Sequence, residues 1–227
     1  MKRFQLMFLS VGVFIAIMST SLFAAPIGVP GATVGANKSV IGPELNFVFD
    51  RDLAAGGEAE STQAFAKGEV GLTDRVDLNM RIGFGQFELK NIPGPDVDTD
   101  AGPAFGLGLK VTWAQIPDAN VKIGSVLQTV RIRAEDGDNR FSWSEYDAAL
   151  GVYLDAGSHS PRAGQAALVP YGGIVWSGLD INGGAAEDDT FGLFLGVLAR
   201  MGGNFQVGIE LRIPDQTALG INAGFAF

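Results

Sequence analysis

A chain of 227 residues that is 47% hydrophobic and only 18% charged, with 32 Gly and no Cys, excludes a disulfide scaffold and requires the fold itself to supply stability. Its 16 basic and 25 acidic residues give a net charge of −9, which argues against nucleic acid as a partner.

Lys2 and Arg3 precede an apolar run from Phe4 to Ile17 and a small-residue end, MSTSLFAAP. This predicts a signal peptide over 1–24, cleaved after Ala24 or Ala25; the run is short of the ~20 apolar residues of a spanning helix. Losing Lys2 and Arg3 takes the basic residues from 16 to 14 against 25 acidic ones, a net charge of −11. Residues 25–38 are rich in Gly and Pro and lack periodicity, and read as a short lead-in segment.

From Val40 a two-residue alternation begins, the period of a strand with one apolar face. Ile41, Leu45, Phe47 and Phe49 alternate with Glu44, Asn46, Val48 and Asp50; Ala64, Ala66, Val70 and Leu72 with Gln63, Lys67 and Glu69. Val76, Leu78, Met80, Ile82 and Phe84 alternate with Asp77, Asn79, Arg81 and Gly83; Phe105, Leu107, Leu109, Val111 and Trp113 with Gly106, Gly108, Lys110 and Thr112. Residues 121–133 change phase near Gly124 or Ser125, which predicts a bulge there. Tyr146, Ala148, Leu150, Val152 and Leu154 alternate with Glu145, Asp147, Gly151, Tyr153 and Asp155. Residues 167–180 are apolar on both faces, and residues 190–201 put Phe194 and Leu198 on the polar face. Phe205, Val207, Ile209, Leu211 and Ile213 alternate with Gln206, Gly208, Glu210 and Arg212, and TALGINAGFAF repeats the pattern to the last residue.

The count is about ten strands, and 8 or 12 fit the same pattern. The polar faces mix Gly with charges of both signs, as a narrow barrel interior does. Phe47, Phe49, Phe105, Trp113, Phe141, Trp143, Trp176, Phe191, Phe205, Phe225 and Phe227 fall mostly near strand ends, the place of interfacial aromatic girdles. Alternate connections divide into a longer acidic set (51–60, 91–102, 135–139, 181–189, 214–216) and a shorter set (73–75, 115–120, 157–165, 202–204). The expected fold is all-β: an up-and-down antiparallel transmembrane β-barrel over 39–227, with both termini at the short-turn rim.

The hairpin GLTDRVDLNMRIGFG and the terminal Phe-x-Phe resemble those of small Gram-negative outer-membrane β-barrel proteins. The resemblance implies the outer membrane as location, its lipid bilayer as surroundings, and Phe225 and Phe227 as a signal to the barrel-assembly machinery. Asn222 departs from the Gly usual five residues before the final aromatic.

The pattern assigns Glu44, Lys67, Glu69, Asp77, Arg81, Lys110, Arg131, Arg133, Glu145, Asp147, Asp155, Glu210 and Arg212 to the lumen. They are expected to close it as ion pairs, since a barrel of this size leaves little room and buried charges must be paired; a narrow passive pore for small solutes is the alternative. His159 is the one histidine; Ser158 and Ser160 beside it point away on an extended segment, so no catalytic arrangement forms and an enzyme is the remote reading. Asp96, Asp98 and Asp100 begin like a calcium loop, but Ala101 and Leu107 occupy its Gly and Glu positions. That leaves a solvated acidic loop, or a weak surface site for Ca²⁺ or Mg²⁺ shared with Glu187, Asp188 and Asp189. No zinc, phosphate-loop or dinucleotide motif occurs, and no cofactor is expected. The expected role is structural or binding, through acidic outer loops.

Overall fold

The computed structural model describes residues 26–54, 56–154, 166–181, 185–186, 190–202, 204–213 and 216–227. The signal segment and its cleavage site, Asp155, His159 with its flanking serines, and Glu187–Asp189 lie outside the described residues.

Ten long strands form the wall: β1 Ser39–Arg51, β2 Glu58–Thr73, β3 Val76–Lys90, β5 Gly102–Ile116, β6 Val121–Asp136, β7 Asn139–Leu154, β8 Ala166–Ile181, β10 Thr190–Met201, β11 Phe205–Ile213 and β12 Gln216–Ala226. Two-residue strands, β4 Val97–Asp98 and β9 Ala185–Ala186, extend β3 and β8 at one rim. Each long strand pairs antiparallel with its neighbours in sequence, β8 with β10 across the short β9. The last strand pairs with the first, from Val40 opposite Ala226 to Arg51 opposite Gln216, and closes the barrel. Ser39 and Phe227 exchange both backbone hydrogen bonds at that seam. Closure leaves no long edge strand to recruit another chain.

Alternation decides which side chains face out. Ile41, Leu45, Met80, Ile82, Phe84, Leu107, Leu127, Leu150, Ile174 and Leu195 are all exposed, along with Phe105, Trp113, Trp176 and Phe225. An apolar belt this continuous on a closed barrel belongs against lipid, because only a closed sheet satisfies its backbone within a bilayer.

Three details differ from the sequence pattern. The bulge lies on β5 at Trp113, between Thr112 and Ala114, and β6 keeps one phase along its buried positions. That phase turns Val126, Gln128, Val130, Ile132 and Ala134 inward and Arg131 and Arg133 outward, so these two arginines are not lumen charges. The mostly apolar inner face of β6 inverts the usual polarity rule, because it packs on apolar neighbours across the lumen. Trp143 likewise faces inward, fully buried, with its ring 5.5 Å from that of Phe87.

Candidate functional site

The lumen is layered. At the rim of the longer loops, wall side chains fill it: Phe65, Phe87, Leu89, Val130, Ile132, Trp143, Leu179 and Ile181 form one buried apolar cluster. The sequence pattern hides this layer, since apolar residues on both faces blur the alternation.

The middle layer is polar. Glu44 lies between Arg81, at 2.6 Å, and Lys67, at 2.9 Å. Gln128 accepts from Arg81 at 3.1 Å and donates to Asp147 at 2.8 Å. Asp147 also accepts from Arg212 at 2.9 Å. Glu145 lies 3.4 Å from Arg51 and 3.7 Å from Arg212. Lys110 bonds both oxygens of Glu69 at 3.0 Å. All of these groups except the partly exposed Lys67 are buried, and ionised groups away from water are tolerated only when paired. The two-residue alternation of the sequence places most of these side chains on the lumen face. It also places the neutral links Asn46 and Gln63 on that face, but not Arg51, which a register shift after Val48 turns inward, nor Gln128 on the largely apolar inner face of β6.

The third layer is the stretch read as a lead-in. Residues 26–35 run inside the barrel, where Ile27 and Val29 are buried against Tyr153, Tyr171, Phe194 and Leu198 and their neighbours, and Ala32 is buried as well. A chain without a strand partner must satisfy its backbone elsewhere. Here lumen side chains do so. Glu210 accepts the N–H of Ile27 at 2.5 Å and of Gly28 at 2.7 Å. Thr112 accepts the N–H of Ala32 at 2.9 Å, and Asp77 those of Thr33 and Val34 at 2.6 and 3.0 Å. The Pro26 carbonyl receives Gln128 and Arg81; that of Ala32 receives the Tyr153 hydroxyl, and that of Thr33 receives Arg200. Asp77 and Glu210 therefore hold backbone, not only cations.

Glycines on the inner wall make the room. A Cβ at Gly220 would overlap the Pro26 ring, one at Gly124 the Pro30 carbonyl, and one at Gly71 the Gly35 carbonyl. A remaining void of about 30 Å³ lies between the segment and the wall, near Lys67, Lys110 and Tyr171. That is enough for about one water.

At the longer-loop rim the acidic stretch 96–100 folds back on the wall, with Val97 buried in the apolar cluster and Thr99 bonded to the Phe87 backbone. Asp96 accepts the N–H of Asn91 at 3.1 Å, Asp98 stands opposite Glu88, and Asp100 bridges to Glu135. Among the described residues no group of three or more His, Cys, Asp or Glu side chains converges as a metal site would. Phe225 and Phe227 face outward at the short-turn rim, and Phe225 packs on Phe205 at 4.9 Å. Asn222 faces inward, opposite Glu44 and Gly208, with its amide covering Gly208.

A closed antiparallel barrel, apolar outside and charged within, is a transmembrane barrel of the outer-membrane class, and the outer membrane is its place. No family model matches the sequence, and no curated protein matches it. Among solved structures, the chain is similar to the β domain of the Bordetella autotransporter BrkA, at 14% identity and a TM-score of 0.46, over 86% of this chain and 99% of that one. It is also similar to an outer membrane channel from Pseudomonas putida F1, at 13% identity and a TM-score of 0.45, over 90% and 100% of the two chains. A loop-deletion mutant of OmpT, an outer membrane protein of Vibrio cholerae, follows at 13% identity and a TM-score of 0.36, over 81% and 62%. No residue role is carried over from these proteins.

Proposed function

We propose that this is a closed outer-membrane barrel, exported through a cleaved signal over 1–24, whose role is structural or binding at its outer rim. One observation carries the reading: the backbone of residues 26–34 is hydrogen-bonded by side chains from strands on several sides of the lumen, among them Glu210, Asp77, Thr112, Gln128 and Arg200. A segment held at so many points belongs to the folded state and occupies the path a solute would take. The apolar cluster around Phe87 and Trp143 fills the other half of that path with wall side chains.

A narrow passive pore is the second reading. The observation in its favour is that the wall around the segment is polar, with Lys67, Glu69 and Lys110 beside the residual void. Planar-bilayer recording of the purified full-length protein separates the two. Closure predicts a silent membrane at all voltages that the bilayer withstands. Reproducible ion-selective steps from the unmodified protein would establish the pore instead.

A further inference from the structure

The outer wall carries charge where its apolar belt ends. On β6, Arg131 and Arg133 share the outward phase of Leu127 and Thr129. Arg131 is paired in register with Phe105 on β5 and Ser144 on β7, and Arg133 stands opposite Ser142. Together with Asp100, Pro103, Arg140 and Ser142, the two arginines line a concavity of about 670 Å³ at the longer-loop rim.

Among the described residues no carboxylate takes up their charge. Arg140 is paired with Glu135 at 2.9 Å. Asp100 and Glu135 border the concavity and Asp180 stands opposite Ser144, yet among the described residues neither Arg131 nor Arg133 has an ion pair. The Nε of Arg131 is buried without a hydrogen-bond partner.

Height on the wall identifies the partner. A cation facing lipid is costly at the bilayer midplane and tolerated near the interface. Arg131 is level with Phe105 and one step outward of the pair Thr129–Tyr146, where exposed aromatics mark the interface. Arg133 lies two residues, roughly 7 Å, farther out. Two guanidinium forks at that level match a phosphate geometrically and electrostatically. Ser142 lines the same concavity and can add a hydroxyl donor. Because the concavity adjoins Phe105 on the lipid-facing wall, the source of the phosphate is a lipid.

We propose that Arg131 and Arg133, assisted by Ser142, bind a phosphate of the outer-leaflet lipid headgroup. This rests on the membrane-barrel reading, with the longer loops outward. The test is native mass spectrometry of the full-length protein released from detergent with bisphosphorylated lipid A, its dephosphorylated form, or lipid A plus millimolar inorganic phosphate. The protein should retain the phosphorylated lipid about tenfold better than the dephosphorylated one, and R131Q/R133Q should abolish the difference. Ser142→Asp, which places a negative charge in the same concavity without removing either arginine, should abolish it too. Equal retention of the two lipids, or full retention by the variants, overturns the proposal. Displacement by inorganic phosphate overturns the lipid as its source. Heat-modifiable gel migration of each variant reports the barrel fold separately.

Discussion

The Glu210 carboxylate receives two successive backbone N–H groups of the inner segment, Ile27 at 2.5 Å and Gly28 at 2.7 Å. One wall side chain thus does for the segment what a neighbouring strand does elsewhere. Glu210→Ala should leave two buried donors unsatisfied, at about 1–3 kcal/mol each. The chain has no Cys, so a single Val29→Cys reports the consequence cleanly. Val29→Cys alone should resist maleimide labelling, and adding Glu210→Ala should expose it. Equal labelling with and without Glu210 would show that the clamp does not hold the segment.

Packing offers an independent route to the same displacement. Gly220 lies against the Pro26 ring with no space for a Cβ. Gly220→Leu should expel the start of the segment while the barrel still closes, because β12 keeps its backbone ladder to β1 and β11. Expected are normal heat-modifiable migration and rapid labelling of Val29→Cys. Slow labelling would place Pro26 elsewhere.

Glu44 is the buried carboxylate between Arg81, also buried, and Lys67, which is partly exposed. Glu44→Ala should destabilise the barrel by about 3–5 kcal/mol, since it leaves both charges without their counter-ion. Urea unfolding from lipid vesicles measures it. A loss below about 1 kcal/mol, the range of exposed pairs, would mean that water reaches the cluster.

Conductance should depend on two layers at once. Removing residues 26–35 leaves Phe87, Trp143 and their neighbours across the outer half. That deletion should therefore stay silent in a bilayer, as should F87A/W143A, while the combination conducts. Each truncation costs about 3–5 kcal/mol of packing, so folded protein is selected by gel migration first. Steps from the deletion alone would show that the apolar layer is no barrier.

The last strand closes the barrel, and Phe227 lies fully outward at its end. Deleting Phe227 should lower the amount of assembled protein in the membrane more than the amount synthesised. Quantitative blotting of membrane and total fractions checks this, and equal fractions would remove the residue from assembly.

A count near ten, closure and the outward belt were legible in the sequence because a period of two assigns every other residue to one face, and lipid tolerates only apolar ones there. Most lumen charges were legible for the same reason: Glu44, Arg81, Asp147 and Arg212 fall on the opposite phase. Arg131 and Arg133 were not, because β6 is largely apolar inside and polar outside near its end, where the local environment reverses. Polarity then names the wrong face, and only the register against Phe105, Ser142 and Ser144 corrects it. Residues 26–35 were illegible for a different reason. They have no periodicity, since their partners are not a strand but side chains up to 183 positions away. Glycines at 71, 124 and 220 read only as small residues until closure brought them against Gly35, Pro30 and Pro26. Local alternation therefore determined the wall by itself. What fills the wall depends on contacts between residues distant in the chain, and these exist only once the barrel has closed.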